Sequence, residues 1–535
     1  MIGRIAVVLF IPVVFMTVAW QPADAQQPKR GGVVRIAERE APTLDPHLSI
    51  SFLTHSHVSL VYSQLVRFPN GPEQKHPADF SILPDLAEKW EYKTPTTLVF
   101  TLRKGVKFHN KPPVNGREVT AADVKYSLER FMAKSGFRAR LEPVQSIDAV
   151  DRHTVRITLK EPFAPLLNHL ASPSFTAILP REAEDKFKDF NHPDAVIGTG
   201  PFVLKSYDRG VRLVFERNPD YHMKGLPYLD GAVIEITPDS AARLSLLRAG
   251  KVDFNHMWGW ASVEEGKSLQ KTNPELSITP IQVIAQGMLY FRTDQAPFND
   301  VRVRRAISLA IDRKAWNDAL LFGEGCVDTG PVPCAMKEWK LEASKMDAAK
   351  AKYLVGYDPT EAKKLLAEAG QPRGFTTPAF HWPGYAPPWR SYYDLAADNL
   401  AKIGITVELK PEEYGKYIST TYLGKFEKMA IGPVTPYTEV DDFLYGHFFP
   451  EQPENRSRVT DAELSKLLVA QRRELDPKKR KEIVDEIQRY VADKAYYVYL
   501  PSQPQYITHQ PSVKGFKHHD GYGLGLRLMY TWIDR

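Results

Sequence analysis

Several segments alternate apolar and polar residues with the period of a half-buried β-strand. In residues 97–103 the apolar side chains of Leu98, Phe100 and Leu102 alternate with Thr and Arg. An apolar face that recurs at every second residue is typical of a strand with one buried side. Residues 155–159 and 212–216 repeat this alternation. The pattern predicts strands at these three places.

Other segments repeat their apolar residues with the period of a helix. Asp300 precedes a stripe of apolar residues with i, i+3, i+4, i+7 spacing, which predicts an N-cap followed by a helix. Thr120, Asp358 and Asp476 stand at comparable starts, and Gly370 follows the second of these helices as a left-handed C-cap. Because strands and helices mix along the whole chain, the fold class is α/β or α+β.

The N-terminal residues have the composition of a secretory signal. Arg4 precedes an uncharged run at residues 5–19, and Ala23-Asp24-Ala25 supplies a small-residue cleavage site. The run is shorter than the ~20 residues that a spanning helix needs. We therefore expect a signal peptide at 1–25, cleavage after Ala25, and release into the periplasm without a lipid anchor.

Composition and charge narrow the class of protein. With 535 residues, 43% hydrophobic and 25% charged, the chain is an ordinary globular protein of two or three domains. The formal charge of +6 is dispersed, whereas a nucleic-acid-binding protein shows a clustered basic patch. We expect no nucleic-acid partner.

The two cysteines, Cys326 and Cys334, are close in sequence. An exported protein can form a disulfide between them, but two free thiols are the alternative. Neither zinc spacing nor a C-x-x-C redox pair is present.

Sequence signals for catalysis are weak. The chain has no phosphate-binding G-x-x-x-x-G-K-[ST] loop, no G-x-S-x-G elbow and no H-E-x-x-H pair. The histidine pairs at residues 55–57 and 518–519 lack convincing third and fourth ligands. We expect no metal, no cofactor and no enzymatic activity.

An ordered set of motifs runs along the chain. The longest covers residues 84–131, where a P-x-L-A-x-x-W helix leads into F-x-L-R-x-G-V-x-F-H and T-A-x-D-V-x-[FY]-S. The others are TLDP (43–46), GTGPF (198–202), ERNPDY (216–221), AGKVDF (249–254), PFNDVRVRRAISLAIDR (297–313) and DPTEAKKLLAEAG (358–370). In this order the set resembles one family, the extracytoplasmic solute-binding proteins of ABC importers in the peptide/nickel class (family 5).

The resemblance implies an α/β, two-lobed periplasmic-binding-protein fold of class II (cluster C) type. The first lobe is expected at 27–288 plus 505–535, with an extra subdomain inserted at about 76–194, and the second at 289–504. The chain is expected to cross between the lobes at 289–291 and 499–506. A monomer of this kind captures a peptide or another small organic solute between closing lobes and delivers it to membrane permease subunits.

Aromatic residues in two segments are candidates for the walls of the solute site. Trp258 and Trp260 follow the AGKVDF match, and Trp382, Tyr385 and Trp389 lie in the proline-rich HWPGYAPPW. Rigid backbone with interspersed rings suits a binding surface, although the same rings suit core packing.

Arg292 is a candidate anion contact. It stands where relatives of this family commonly have Asn after the hinge strand, and a guanidinium can bind a carboxylate with two hydrogen bonds. A solvent-facing salt bridge is the alternative.

The stretch GPVTPYTEVDDFL (432–444) departs from the resembled family at a position that contacts peptides. Peptide-binding relatives carry G-W-x-A-D-Y-P-D-P-x-N-F-L there, in which the first Asp holds the α-ammonium group. This chain has Pro433 at the Trp position and Pro436 at that Asp, while Tyr437 agrees. Glu439 or Asp441 could replace the missing carboxylate if the loop is shifted. We predict a neutral or anionic small organic solute instead of a free dipeptide or tripeptide.

Two other functions remain as alternatives. An exported hydrolase or metal-dependent enzyme would turn over a peptide or ester substrate. A polyanion-binding protein, suggested only by the sequence pI of about 8.9, would lose its ligand steeply with added salt.

Overall fold

Six β-sheets and the helices that pack on them form the fold of the described residues. The computed structural model describes residues 27–535, except residues 50, 258, 259, 285, 385–388 and 522, and it describes the backbone but not the side chain of Trp260. The predicted signal peptide, Trp258 and Tyr385 therefore lie outside the described residues.

The strands are β1 (Val33–Glu38), β2 (Val66–Arg67), β3 (Leu83–Pro84), β4 (Ala87–Thr94), β5 (Thr97–Leu102), β6 (Val144–Asp151), β7 (Thr154–Leu159), β8 (Phe202–Asp208), β9 (Arg212–Arg217), β10 (Gly231–Ile236), β11 (Trp260–Ala261), β12 (Ser277–Gln282), β13 (Gly287–Phe291), β14 (Phe375–His381), β15 (Ile405–Pro411), β16 (Met429–Pro433), β17 (Tyr497–Tyr499), β18 (Pro504–His509), β19 (Val513–Lys514) and β20 (Trp532–Ile533).

The helices are α1 (Phe52–Val58), α2 (Ala121–Lys134), α3 (Leu166–Ala171), α4 (Arg181–Phe187), α5 (Ser240–Arg248), α6 (Val263–Thr272), α7 (Val301–Ala310), α8 (Arg313–Leu321), α9 (Ala348–Val355), α10 (Pro359–Glu368), α11 (Trp389–Ala401), α12 (Tyr414–Ser419), α13 (Val440–Phe448), α14 (Ala462–Arg473), α15 (Pro477–Val491) and α16 (Leu524–Met529). Within the described ranges, none of these helices is long and apolar enough to span a membrane.

The first lobe, as we use the name here, contains the sheets that come before β13 and after β17. Its main sheet has the order β1-β10-β9-β8, and a second sheet has the order β4-β5-β7-β6. A three-stranded sheet places β18 between β11 and β12, so a late segment of the chain completes an early sheet. Lys29 and Asp534 form an ion pair, which holds the two ends of the described chain together.

The sheet β4-β5-β7-β6 has its own apolar core, to which Leu98, Phe100 and Leu102 contribute as the alternation predicts. The prediction of a helix at residues 84–90 is wrong, because residues 87–94 form the strand β4. Trp90 pairs with Phe100 across the sheet, while the charged side chains of this edge strand are mostly exposed. The backbone of this strand is satisfied by pairing with β5, and its other face is solvated.

The second lobe is built on one five-stranded sheet with the order β15-β14-β16-β13-β17. Strands β14 and β16 are parallel, with Ala379 opposite Met429, and β13 runs antiparallel to β16, with Gly287 opposite Pro433. The N-caps predicted at Asp300 and Asp358 are confirmed, because each side chain accepts a backbone hydrogen bond at the start of its helix. Gly370 has a φ of +77°, the left-handed conformation predicted for it.

The chain passes between the lobes twice, in the connecting segments 283–286 and 500–503. The strand β13 already belongs to the second-lobe sheet, so the predicted crossing at 289–291 comes a few residues too late. The predicted domain boundaries, and the limits of the inserted subdomain, stay predictions.

Cys326 and Cys334 are joined in a disulfide with an S–S distance of 2.09 Å. The loop that it closes contacts both connecting segments. Cys326 and Ser502 exchange two backbone hydrogen bonds of 2.9 Å, and the Gln286 side chain donates to the Gly330 carbonyl at 3.2 Å. The disulfide therefore constrains a loop that packs where the two lobes join.

Candidate functional site

The candidate site lies at one edge of the second-lobe sheet, where β14 ends at His381 and β16 ends at Pro433. In α/β sheets, ligands bind outside the carboxyl ends of parallel strands, where the backbone opens into loops. The first connecting segment reaches the same edge, because Val434 N–H donates to the Gln286 carbonyl at 2.8 Å. This edge therefore meets the junction between the lobes.

The first lobe presents the carboxyl end of β1 to this junction. Glu38, the last residue of β1, is fully buried, lies 3.1 Å from His256 Nε2 and accepts a 3.2 Å hydrogen bond from Met257 N–H. Burial raises the pKa of the Glu38 carboxyl, but His256 and the Arg39 N–H together lower it by a larger amount, so the net shift of the pKa is downward. Arg39 follows with a side chain that is 55% exposed. Burial raises the pKa of the Tyr414 hydroxyl in the second lobe. The positive charge of Arg39 lies close enough to lower this pKa in part.

The acidic stretch 432–444 folds as the end of β16, a turn and the start of α13. Each of its three carboxylates is buried beside an arginine. Glu439 accepts from Arg480 at 2.5 Å and caps α13 by accepting from Asp441 N–H at 3.2 Å. Asp441 lies 3.2 Å from Arg472 and accepts from Gln471. Acidic residues in the first turn also complement the helix dipole.

Asp442, the third carboxylate, is paired across the two lobes. Its Oδ1 lies 2.8 Å from Arg140 Nε and 3.5 Å from His169 Nε2, both of the first lobe. Burial raises the pKa of Asp442, but the Arg140 guanidinium and His169 lower it by more, so the carboxyl stays ionised. Each of the three carboxylates is already paired with an arginine. The structure therefore does not support Glu439 as a ligand contact, or Asp441 as its substitute.

Pro433, Pro436 and Tyr437 form the turn above these carboxylates. The Pro433 carbonyl accepts a 2.8 Å hydrogen bond from the Tyr290 hydroxyl. Pro436 is half-buried, while Tyr437 is buried with its ring 4.9 Å from the Arg140 guanidinium. The Tyr437 hydroxyl donates to Glu454. Pro433 and Pro436 thus remain candidates for solute contact, whereas Tyr437 belongs to the packed surface between the lobes.

The predicted aromatic residues divide into two kinds of environment. Trp382 is half-buried directly after β14, with its ring centroid 4.6 Å from that of Tyr414, which is 49% exposed. Trp389 is only 8% exposed and packs with Tyr392 in the second-lobe core. A Cβ on Gly287 would lie 2.7 Å from the Trp389 ring, so this indole packs directly against the start of β13.

Arg292 does not reach the candidate site. It follows the far end of β13, about 16 Å from Gly287 at ~3.3 Å per residue. Its guanidinium donates to Asp294 at 2.8 and 2.6 Å and to the Phe426 carbonyl at 2.8 Å. Arg292 therefore forms the solvent-facing salt bridge that the sequence left as the alternative. It does not act as an anion contact in the candidate site.

Sequence reasoning missed a polar cluster beneath the end of β16. Arg456 is 0% exposed, and its guanidinium lies 3.8 Å from the Tyr422 ring centroid and 5.0 Å from that of Tyr290. The Tyr422 hydroxyl bonds to the Thr435 hydroxyl. In the sequence, Arg456 lies in PENRSR, a run that is typical of an exposed loop, so no signal in one sequence indicates its burial.

Comparison with known proteins assigns the family. The family model described as bacterial extracellular solute-binding proteins, family 5 Middle, matches residues 81–455. The chain belongs to this family.

Three relatives illustrate the range of proteins that it resembles. Heme-binding protein A of Haemophilus influenzae is 29% identical over 483 residues, covering 85% of this chain and 84% of the relative. An ABC transporter-associated periplasmic binding protein from Helicobacter pylori, solved with the peptide STSA, superposes with a TM-score of 0.78 at 27% identity, covering 95% and 99% of the two chains. A binding protein from A. tumefaciens R10, solved with agropinic acid, gives a TM-score of 0.77 at 26% identity, covering 94% and 99%.

The family and these relatives establish the general function. The protein is the solute-binding component of an ABC transporter, with a two-lobed α/β fold that takes up a peptide or another small organic solute. The three relatives are named for, or were solved with, a heme, a peptide and agropinic acid, so membership of the family does not fix the solute.

Proposed function

We propose that this protein binds a neutral or anionic small organic solute in preference to a free dipeptide or tripeptide. It works in the periplasm after removal of residues 1–25, as a monomer without catalytic activity, and delivers the solute to the permease subunits of its importer. Trp382, Pro433 and Pro436 contact the solute from the second lobe, and Trp258, Trp260 and Tyr385 are further candidates.

One observation carries the choice of solute: the carboxylates of the stretch 432–444 are all held by arginines. Glu439 pairs with Arg480, Asp441 with Arg472 and Asp442 with Arg140. The position of the ammonium-binding Asp in peptide-binding relatives is Pro436, which has no charge. A buried ammonium group without a counter-ion costs several kcal/mol, so a free peptide N-terminus is poorly accommodated here.

The exposed charge at the junction favours the same conclusion. Arg39 is 55% exposed, and its Nε lies 3.6 Å from the carboxylate of Glu38, which is fully buried beside His256. A cation that remains accessible beside a buried carboxylate attracts solutes with negative charge. The relative solved with agropinic acid shows that this fold accommodates an acid of that kind.

Free peptides are the second candidate, because a neighbour with a TM-score of 0.78 was solved with the peptide STSA. Native mass spectrometry of the purified protein identifies a retained solute directly. Thermal-shift assays and calorimetry would then compare dipeptides, tripeptides, their N-acetylated forms and non-peptide organic acids. We expect N-acetylated peptides or organic acids to bind more tightly than free peptides. Micromolar binding of free peptides that N-acetylation abolishes would overturn the proposal.

A further inference from the structure

Arg456 is a buried cation without a carboxylate partner among the described residues. Its Nε donates to the Tyr422 carbonyl at 3.0 Å, and its Nη1 donates to the Tyr290 hydroxyl at 3.0 Å and to the Pro433 carbonyl at 3.5 Å. Its Nη2 has no hydrogen-bond partner in the described part of the chain. The guanidinium lies against the rings of Tyr290 and Tyr422 and not beside an acidic side chain of the described residues.

Several other buried arginines of this protein are compensated. Arg140, Arg472 and Arg480 each lie beside a buried carboxylate. Arg313 has no carboxylate partner among the described residues, but its guanidinium donates to five oxygen atoms, including the Ser308 carbonyl in the last turn of α7 and the Gly356 carbonyl just after α9. The negative ends of helix dipoles stabilise such a cation. Arg456 has neither kind of compensation.

Arg456, the cation without a carboxylate partner, lies next to the candidate solute site. It binds the carbonyl of Pro433, the last residue of β16, and its guanidinium stacks on the half-buried Tyr422 ring. At the edge of the same ring, the Tyr422 hydroxyl and the Thr435 hydroxyl bond to each other. Each hydroxyl carries one proton, so the one that accepts this bond keeps its own proton for a third group.

We propose that Arg456 is the specificity-determining cation of the solute site and that it selects a solute with a carboxylate group. The carboxylate accepts from whichever of the Tyr422 and Thr435 hydroxyls keeps its proton free, and the positive charge of Arg456 lies behind the Tyr422 ring. A single cation with a neutral hydroxyl donor matches a monoanion. The inference rests on the proposed function, because it narrows a neutral or anionic solute to a carboxylate.

The test uses the full mature chain and matched pairs of probes. N-acetyl amino acids, N-acetyl dipeptides and aromatic carboxylic acids are each screened beside their primary amides by thermal shift, and the best pair is measured by calorimetry. We expect at least one acid to bind about tenfold or more tightly than its amide. Arg456→Gln is expected to abolish this preference, while Arg456→Lys retains most of it.

The ratio of acid to amide affinity shows whether Arg456 recognises the negative charge of the solute or only holds the loop around Tyr422 and Pro433 in place. Loss of the bonds to Tyr422 and Pro433 alone would weaken both probes equally and leave the ratio unchanged. Tyr422→Phe and Thr435→Val remove the hydroxyls without altering Arg456, and we expect each to lower acid affinity more than amide affinity. Arg292→Gln, which removes a guanidinium away from the site, is the control and is expected to leave the ratio intact.

Three outcomes would overturn the assignment of Arg456: wild-type protein that binds acids and amides equally, wild-type protein that binds neither, or an Arg456→Gln variant that keeps the full preference. If the Gln variant does not fold, the two hydroxyl variants provide the same ratio. Neutral solutes bound without preference would refute this inference and leave the proposed function standing. Tight binding of free peptides would refute the proposed function itself.

Discussion

Arg140 of the first lobe and Asp442 of the second form a buried ion pair, with Nε and Oδ1 2.8 Å apart and side chains that are 9% and 3% exposed. Arg140 also lies 3.4 Å from Glu454 and over the Tyr437 ring. Any separation of the lobes must break these contacts, and water then solvates both charges. The pair therefore contributes to the balance between closed and open forms.

Arg140→Gln is expected to shift that balance toward the open form, because it leaves Asp442 buried without its counter-ion, at a cost of about 3–5 kcal/mol. Small-angle scattering of ligand-free protein should show a larger radius of gyration, and the retained solute should bind at least about tenfold more weakly. Arg473→Gln is the control. It breaks the exposed interlobe pair with Glu161, for which less than about 1 kcal/mol is expected. Equal behaviour of the two variants would contradict the prediction.

Asp520 gives the fold a pH dependence of its own. Burial raises the pKa of this carboxyl to about 7, although His519 and Arg527 oppose the rise. In the unfolded chain its pKa is about 3.9. The fold therefore favours the protonated form, and the contribution of Asp520 to stability is largest below about pH 4 and declines as the pH rises to about 7.

Asp520→Asn imitates the protonated carboxyl, so its effect should grow with pH. Urea unfolding at several pH values is expected to show nearly equal stability at about pH 3.5 and a variant that is more stable at about pH 8. The difference is of the order of a few kcal/mol, since one pKa unit corresponds to about 1.4 kcal/mol. Asp208→Asn changes an exposed carboxyl and should leave the pH profile unchanged. A constant offset between wild type and Asp520→Asn would contradict the expectation.

Removal of the disulfide is expected to loosen the junction between the lobes. Replacing Cys326 and Cys334 by Ser frees a short loop, which corresponds to about 2–3 kcal/mol of chain entropy. The loop contacts both connecting segments, so hydrogen exchange should increase at residues 500–503 as well as within it. Reduction of the wild-type protein with dithiothreitol is the matched comparison. Unchanged stability in both experiments would contradict the prediction, because the surrounding contacts would then hold the loop in place without the disulfide.

Trp382 and Trp389, the two candidate site tryptophans whose side chains the structure describes, should respond differently to truncation. Trp389→Ala removes a core side chain and is expected to lower the free energy of unfolding by about 3–5 kcal/mol. Trp382→Ala removes a half-buried ring at the site, and it should weaken solute binding while the melting temperature without ligand stays within a few degrees. A large loss of ligand-free stability in Trp382→Ala would assign this ring to core packing.

The sequence predicted elements well where the signal was local. The strands around Phe100 and Val155, and the helix starts at Thr120 and Asp300, depend on side-chain period and capping within a few residues. The helix expected at residues 84–90 came from the resembled family motif and not from a local pattern, and residues 87–94 instead form a strand that pairs with β5.

The site was predicted less well than the fold, because its interactions join residues far apart in sequence. The partners of Glu439 and Asp442 are Arg480 and Arg140, and neither pairing leaves a trace in one sequence. Arg292 was chosen from its position after a strand, but the antiparallel register with β16 puts it at the far end from the junction. Burial of Arg456 likewise depends on tertiary packing alone.

The position of β18 between β11 and β12 sets the order in which the protein can be completed. During synthesis from the N-terminus, residues 260–282 emerge long before residues 504–509, and in the finished sheet both outer strands pair only with the late one. Until then, each has an unpaired edge, which is a template for wrong pairing. A nascent or truncated chain that stops before residue 504 is thus exposed to wrong pairing at the edges that β18 covers in the finished protein. Dependence on chaperones should be greatest after residue 282 and before residue 504 is synthesised.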